Sequence, residues 1–133
     1  MIDQGLNTIV SRRSVGDTID ALVLIVEAAG LTVFARIDHA TGAAKAGLEL
    51  RPTELVIFGN PNAGTPLMQA NQITGIDLPM KALAWEDENG ETWLTYPDAQ
   101  WIAARHGLGA DVAATIAALE AGLAKVVVEA VGL

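Results

Sequence analysis

The stretch LAWEDENGETWLTY, residues 83–96, decides the fold because two apolar and aromatic runs flank an asparagine–glycine pair. Asn-Gly between two such runs is the strongest short-range signal for a β-hairpin. A two-residue turn at Asn89-Gly90 also fixes which residues face each other across the two strands. The facing pairs that it predicts are Trp85 with Leu94, Leu83 with Tyr96, and Glu86 with Trp93.

Three further segments have the pattern of β-strands. Residues 6–11 are short and β-prone, and residues 54–58 form a compact apolar run between Pro52 and Gly59. Residues 31–38 alternate between apolar and polar side chains, which predicts a strand with one buried face. The residues expected on that buried face are Leu31, Val33, Ala35 and Ile37.

Helices are expected between these strands. Ser14 has the position of an N-cap and Gly30 that of a left-handed stop, so they bound a first helix. Short helices are expected at 41–47, after a cap at Thr65, and from Pro97 to Arg105, and a long one at 111–130. This mixed order around a central hairpin predicts an α+β fold, with helices packed on one face of a mostly antiparallel sheet.

Length and composition indicate one domain. The chain has 133 residues, of which 51% are hydrophobic and 18% are charged. A chain of that size buries enough apolar surface to fold without disulfides or metals. We find no linker or internal repeat, so residues 1–133 are expected to form a single domain.

Charge and cysteine content exclude several classes of function. The formal net charge is −8, so the protein's field repels phosphate backbones and anionic membranes. Neither nucleic acid nor a membrane is therefore expected as a partner. The chain contains no cysteine, which excludes disulfides, thiolate catalysis and cysteine-based metal sites. The first residues lack a basic and apolar leader, and no apolar run reaches about 20 residues, so a cytoplasmic location is expected.

Several stretches resemble one known family. They are RIDH (36–39), LELRP (48–52), IFGNP (57–61), GTPLM (64–68) and DLPMKALAWED (77–87), together with Gly90 and Tyr96. This joint pattern resembles family 302 of the domains of unknown function, from the first helix to about Gly107. The resemblance implies a small prokaryotic α+β domain of the TATA-box-binding-protein-like class, with a curved antiparallel sheet, often found as a dimer. It implies no activity and no DNA binding, because a shared fold does not fix function.

Arg36, Asp38 and His39 form a first group of candidate site residues. Positions 36 and 38 project from the same face of the predicted strand, and His39 follows at its end. A histidine beside a carboxylate can act as a general acid or base. The alternative is a surface ion pair, with Asp38 capping the following helix. The sequence leaves both interpretations open.

Residues 59–65 form a second candidate. They read G-x-x-x-x-G-T between an apolar strand and a helix, but they lack the lysine of a phosphate-binding loop. The pattern fits a tight connection, or a helix N-terminus whose free amides, at 64–67, hold a carboxylate or phosphate. Asn60 and Thr65 would then contribute to the site.

Lys81 and Trp85 form a third candidate, because they share a face of the predicted hairpin strand with Leu83. If that face is open, Lys81 and Trp85 line a pocket. If it is closed, the aromatic side chains fill the core.

Metal binding is not expected. The two histidines, His39 and His106, have no ligand spacing, and the acids at 86–88 and 91 match no calcium loop. No cofactor is indicated either.

Three functions remain as hypotheses. The first is a homodimeric, non-enzymatic domain that binds a small anionic ligand between the sheet edge and residues 60–65. Its ligand-binding residues would be Arg36, Asp38, His39, Asn60, Thr65, Lys81 and Trp85. The second is an enzyme in which Asp38 and His39 supply acid/base chemistry on a small metabolite. The third is a structural module that dimerises through the C-terminal helix.

Overall fold

Strands and helices follow one another along the whole described chain. The structure is a computed structural model that describes residues 4–133. Its strands are β1 (Leu6–Ser11), β2 (Thr32–Asp38), β3 (Thr53–Gly59), β4 (Met80–Glu86) and β5 (Thr92–Pro97). Its α-helices are α1 (Val15–Ala28), α2 (His39–Lys45), α3 (Pro61–Ala70), α4 (Ala99–Arg105) and α5 (Ala113–Ala130). Short 3₁₀ helices lie at Gln72–Asp77 and Ala110–Val112.

The five strands form one sheet in the order β1-β5-β4-β3-β2. Each neighbouring pair is antiparallel. The last strand, β5, therefore pairs with the first strand, β1, and β4 lies at the centre of the sheet. This arrangement confirms the predicted α+β fold with an antiparallel sheet.

One face of the sheet is covered by helices and contains the core. Val56 of β3 faces Ala82 of β4, and both are almost completely buried. Small side chains on β4 let the helices approach the sheet closely, and burying each large aliphatic side chain contributes about 1.5 to 3 kcal/mol. The helical side chains that fill this layer are Ile19, Leu22 and Val26 of α1, Ile102 of α4, and Ile116, Leu123 and Val127 of α5.

The opposite face, which we call the uncovered face, has no buried side chain among the strand residues that point to it. The pairing register identifies those residues, because partners across a ladder share a face. They are Leu6, Thr8 and Val10 of β1, Trp93, Thr95 and Pro97 of β5, Lys81, Leu83 and Trp85 of β4, Thr53, Leu55, Ile57 and Gly59 of β3, and Thr32, Ala35 and Ile37 of β2. All but Lys81 are uncharged.

The register of the central hairpin differs from the prediction by one residue. Trp85 faces Trp93, not Leu94, because the turn contains three residues instead of two. The Asp87 carboxylate accepts hydrogen bonds from the amides of Asn89 and Glu91, both at 2.9 Å, and Gly90 has a φ of 80°. A type I turn followed by a left-handed glycine gives such a three-residue hairpin. Donation from the Trp93 indole, together with these amides, lowers the pKa of Asp87.

The alternation predicted for β2 is correct for Val33 and wrong for Ala35 and Ile37. The pairing with β3 shifts between Val33 and Ala35, so one extra residue is accommodated there. Such a bulge reverses the faces of the residues on its two sides. Val33 therefore points to the helices with Phe58, whereas Ala35 and Ile37 point to the uncovered face.

Helix termini agree with the sequence at α1 and differ at α3. Ser14 caps α1, since its hydroxyl accepts a hydrogen bond from the Asp17 amide at 3.1 Å. The predicted cap Thr65 lies inside α3, which begins at Pro61. Asn60 caps that helix through its side-chain oxygen, 2.9 Å from the Asn62 amide. The helix therefore begins at Asn60-Pro61 and not at Thr65-Pro66.

The three-residue turn predicts opposite effects of alanine at two open glycines. Gly90→Ala should lower the free energy of unfolding by about 1 to 2 kcal/mol, because a left-handed backbone strains every other L-residue. Nothing lies within 4 Å of a methyl group at either Gly90 or Gly42, so neighbouring atoms do not contribute. Gly42→Ala, inside α2, should raise the free energy of unfolding by about 0.5 to 1 kcal/mol. Urea unfolding measures both, and a Gly90→Ala variant as stable as the wild type would contradict the turn geometry.

The cap of α2 predicts a pH-dependent effect at Asp38. Its carboxylate accepts a hydrogen bond from the Thr41 amide at 2.9 Å, and this bond lowers the pKa of Asp38. A carboxyl with a lowered pKa in the folded state stabilises above its unfolded pKa and stops doing so as the pH falls through the folded value. Asp38→Ala should therefore melt below the wild type at neutral pH, and the gap should close below about pH 4. A gap in melting temperature that persists in acid would contradict this role.

Candidate functional site

The uncovered face is hollowed into a concavity of about 890 Å³. Its floor consists of side chains from β1, β5, β4 and β3, and its wall comes from α4 and from the end of the 3₁₀ helix at 72–77. Its lining includes Lys81, Leu83 and Trp85 from β4, Thr95 from β5, Trp101 from α4, and Asp77. A volume of this size is typical of pockets for small organic molecules.

Hydrogen bonds fix the floor of the concavity. The Trp85 indole donates to the Thr95 hydroxyl at 2.8 Å, and that hydroxyl lies 2.9 Å from the hydroxyl of Thr8. The Trp85 and Trp93 rings stack with their centroids 6.4 Å apart. Because the indole N–H is satisfied, Trp85 offers an apolar surface in a fixed orientation.

Trp101 forms the wall on the α4 side. Its ring lies against Gly5, where a Cβ atom would overlap it, and Gly5 has a φ of 89°. The Arg105 guanidinium lies 5.7 Å from the centre of the Trp101 ring on the same helix. The ring is held between the chain preceding β1 and this cation, although 42% of Trp101 remains exposed.

Asp77 is held by two basic side chains. Its two oxygens accept from Arg105 Nη1, each at 3.0 Å, and one of them lies 2.6 Å from His106 Nε2. The His106 side chain is only 6% exposed. The Arg105 charge therefore offsets the only carboxylate that lines the concavity among residues 4–133.

Lys81 has no such partner. Its ammonium group donates to the Pro79 carbonyl at 3.1 Å, and it forms no ion pair with a carboxylate of the described chain. An ammonium group has three N–H donors, and only one of them is used here. The concavity thus contains an uncompensated positive charge on an apolar floor.

The structure separates Arg36 from Lys81. Arg36 faces Val56 on the covered side, whereas Lys81 faces Ile57 on the uncovered side. Arg36 bonds Asp20 at 2.7 Å and Glu54 at 2.9 Å. Although partial burial opposes its charge, these two carboxylates raise the pKa of Arg36. The seven candidate residues consequently do not line one pocket, and only Lys81 and Trp85 share the concavity.

Asp38 and His39 lie at the exposed start of α2. The Asp38 carboxylate caps that helix, as the structural alternative expected. A carboxylate with a lowered pKa is a weaker proton acceptor, and both Asp38 and His39 are exposed to solvent. This geometry offers little for acid/base chemistry.

Asn60 caps α3 and Thr65 lies inside it, so the two do not form an anion-binding loop. The Gly64 amide donates to the Asn60 carbonyl at 3.1 Å within the first turn of the helix. The amides at 64–67 therefore do not form the helix N-terminus, and Thr65 is exposed. Asn60 lines a second groove of about 790 Å³, between α1 and α5 on the helical side.

Residues 4–133 contain neither a cluster of metal-ligating side chains nor a membrane-spanning helix. No group of three histidine, cysteine, aspartate or glutamate side chains in that range could hold a metal ion. None of the helices in the same range is both long and apolar enough to cross a bilayer.

The sequence interpretation missed Asp77, Thr95 and Trp101. Thr95 and Trp85 were assigned to opposite faces, because the two-residue turn shifted β5 by one position. Trp101 and Arg105 were assigned to one helix, and their spacing of four residues was a usable signal that they contact each other. Nothing in the local sequence indicated that Asp77 meets this helix.

Comparison with curated proteins finds longer bacterial relatives. A protein of Brucella suis biovar 1 named "Fluoride-specific ion channel FluC 1" is 48% identical over 132 residues, which are 99% of this chain and 52% of the relative. A protein of Brucella melitensis biotype 1 named "Fluoride-specific ion channel FluC 2" is 48% identical over 132 residues, with 99% of this chain and 49% of the relative covered. The chain spans about half the length of these curated relatives.

A solved structure has the same fold. The crystal structure of an uncharacterized conserved protein DUF302 from Bacillus stearothermophilus matches with a TM-score of 0.82, over 94% of this chain and 97% of that chain. Sequence identity is 19%, so this likeness establishes the fold alone. The profile of the family described as "Domain of unknown function DUF302" matches residues 7–126. Since that match extends over most of this chain and agrees with the fold, the chain belongs to the DUF302 family.

Proposed function

We propose that this chain is a non-enzymatic binding domain that takes up a small anionic ligand in the concavity of the uncovered face. The observation that carries the proposal is the position of Lys81, a cation without a carboxylate partner on an apolar floor. This proposal retains the anionic ligand expected from the sequence but moves it to the opposite face from Arg36.

The electrostatics favour an anion at this position. A partly buried ammonium group loses hydration, and a bound carboxylate or phosphate restores the lost interaction through charge-assisted hydrogen bonds. The formal net charge of the protein is −8, so anions are repelled elsewhere on its surface. Asp77 does not cancel the attraction, because Arg105 and His106 already bind it.

The walls favour an apolar body on that anion. Trp85, Trp101 and Leu83 present aromatic and aliphatic surface around Lys81, and the Thr95 hydroxyl is already hydrogen-bonded. A single inorganic ion would leave most of the 890 Å³ unfilled. The best fit is therefore an organic carboxylate or phosphate with an aromatic or aliphatic group.

The names of the Brucella relatives bear on the longer proteins in which such a domain occurs. The DUF302 match covers residues 7–126 of this chain, and the chain spans about half of each relative. We infer that this domain accompanies, within the longer proteins, a second part to which the name fluoride channel refers. Fluoride itself is a poor fit for so large and apolar a concavity.

Some finer expectations remain part of the proposal. The concavity supports a curved, TATA-box-binding-protein-like sheet, and the acidic net charge supports a protein that does not bind nucleic acid. A homodimer and a cytoplasmic location are proposed with them.

A thermal-shift experiment tests the ligand. Benzoate, phenyl phosphate and octanoate are added in excess, with inorganic phosphate and sodium fluoride as anions without an apolar body. At a hundred times its dissociation constant, a ligand that fits should add about 2.7 kcal/mol of stability. Lys81→Met should abolish that shift while keeping an apolar side chain of similar length.

Lys45→Met is the matched control, because Lys45 lies in the last turn of α2. The control should bind as the wild type does. Equal shifts in Lys81→Met and the wild type, or no shift with any organic anion, would reject the proposed site.

A further inference from the structure

We propose that the second groove, between α1 and α5 on the helical side of the sheet, binds a single-chain amphiphile with a zwitterionic head. The aliphatic tail lies along the groove, and a phosphate and an ammonium group lie beside Lys125 and Glu129 at its rim. The sheet separates this groove from the concavity of the uncovered face. The inference therefore does not rest on the ligand proposed there.

The floor of the second groove reaches the hydrophobic core. Phe58, Met80 and Leu123 line it, although their exposed fractions are only 3%, 3% and 5%. Water at this depth meets side chains that offer it no strong hydrogen bond, so an apolar group gains free energy by replacing it. The groove therefore favours a ligand with an apolar body.

Small side chains on α5 keep the groove open. Ala114, Ala118 and Gly122 follow one another at intervals of four residues and line the groove along one face of the helix. None of them has a side chain larger than a methyl group, and a Cβ atom placed on Gly122 meets open space. A large side chain at one of these positions would fill the groove.

The shape of the groove suits one aliphatic chain. Its lining on α5 extends from Ala114 to Glu129, a distance of about 22 Å along the helix axis. Spread over that length, its volume of about 790 Å³ gives a cross-section of roughly 35 Å². An α-helix about 10 Å wide needs roughly 80 Å², and a strand in a packed sheet needs about 48 Å². An extended aliphatic chain is narrower than either element.

The groove continues into a smaller cavity beside α3. This cavity has a volume of about 180 Å³ and shares Asn60, Met80 and Leu119 with the groove. Its other walls include Met68 and Leu78. Because methionine side chains adapt their shape to an occupant, the end of an aliphatic tail would find an apolar compartment there.

The charges at the rim select the head group. Lys125 and Glu129 are the only charged side chains of residues 4–133 that line the groove. Both are exposed, they lie about one helical turn apart, and neither forms an ion pair within the described chain. A lysine four residues before a glutamate is the weaker order for a helical ion pair. The two charges therefore remain available to a ligand.

A zwitterion complements these charges better than an anion does. Its phosphate would lie beside Lys125 and its ammonium group beside Glu129, whereas a purely anionic head would also meet the Glu129 carboxylate. A zwitterion has no net charge, so the net charge of −8 on the protein does not repel it.

Binding of alkyl phosphocholines tests the inference. Decyl-, dodecyl- and tetradecylphosphocholine are titrated by calorimetry below the concentrations at which they form micelles. Affinity should rise about threefold to fourfold for each methylene that the groove accommodates. Dodecanoate, dodecyltrimethylammonium and dodecyl maltoside have anionic, cationic and uncharged heads. They should each bind roughly two- to fivefold more weakly than dodecylphosphocholine, which is the effect of an exposed ion pair.

Gly122→Leu tests the position of the tail. Its side chain enters the groove from open space, and leucine favours a helix more than glycine does, so the variant should melt no lower than the wild type. Its affinity for dodecylphosphocholine should fall at least about tenfold, which corresponds to the loss of two methylene contacts. Ala121→Leu is the matched control, because Ala121 is exposed on α5 and does not line the groove. The control should bind as the wild type does.

Variants at the rim separate the head from the tail. Lys125→Met and Glu129→Gln should each weaken dodecylphosphocholine binding roughly two- to fivefold and leave the binding of dodecyl maltoside unchanged. Lys81→Met, which alters only the concavity, should bind dodecylphosphocholine as the wild type does. The two ligand sites can therefore fail independently. Absence of alkyl phosphocholine binding, wild-type affinity in Gly122→Leu, or equal affinity for all four head groups would overturn the inference.

Discussion

The whole molecule depends on a sheet that is apolar on both faces while its helices cover only one. The helices bury Val56, Ala82 and Leu94 almost completely, and this layer accounts for the stability of the domain. The other face retains Leu55, Leu83 and two tryptophans without a cover in the single chain. Hydrophobic free energy scales with the area removed from water. Covering the apolar side chains of the second face would therefore stabilise the protein further. The ligand proposed for the concavity would cover part of this surface.

A single residue in the hairpin turn determines which side chains meet on that face. The Asp87 carboxylate binds two amides across the turn and accepts from the Trp93 indole, so three residues, not two, connect the strands. A shift of one residue moves every side chain of a strand to the other face. It places Trp93 and Thr95 beside Trp85 and sends Leu94 into the core. The floor of the concavity is therefore a consequence of turn geometry as much as of strand composition.

The sequence was sufficient for the class of fold and insufficient for the faces of the sheet. Periodicity and caps located α1 and α5, and the Asn-Gly pair located the hairpin, because these signals are local and repeat over several residues. The bulge before Ala35 and the turn at Asp87 each depend on one residue, and two alternatives of nearly equal local energy compete there. The contact of Asp77 with Arg105 and His106 joins segments 28 or more residues apart, so only the tertiary fold brings it about.

Arg36 and Lys81 show why the candidate site could not be assigned from residue types. Both are cations in neighbouring parts of the sheet, yet strand parity directs them to opposite sides. On the covered side, α1 supplies Asp20 and β3 supplies Glu54, and both carboxylates form ion pairs with Arg36. On the uncovered side the carboxylate that lines the concavity, Asp77, is bound by Arg105 and His106, and Lys81 donates to the Pro79 carbonyl. A cation is therefore available for binding where the sheet lacks its own cover, and the same absence of helices leaves both the charge and the apolar surface free.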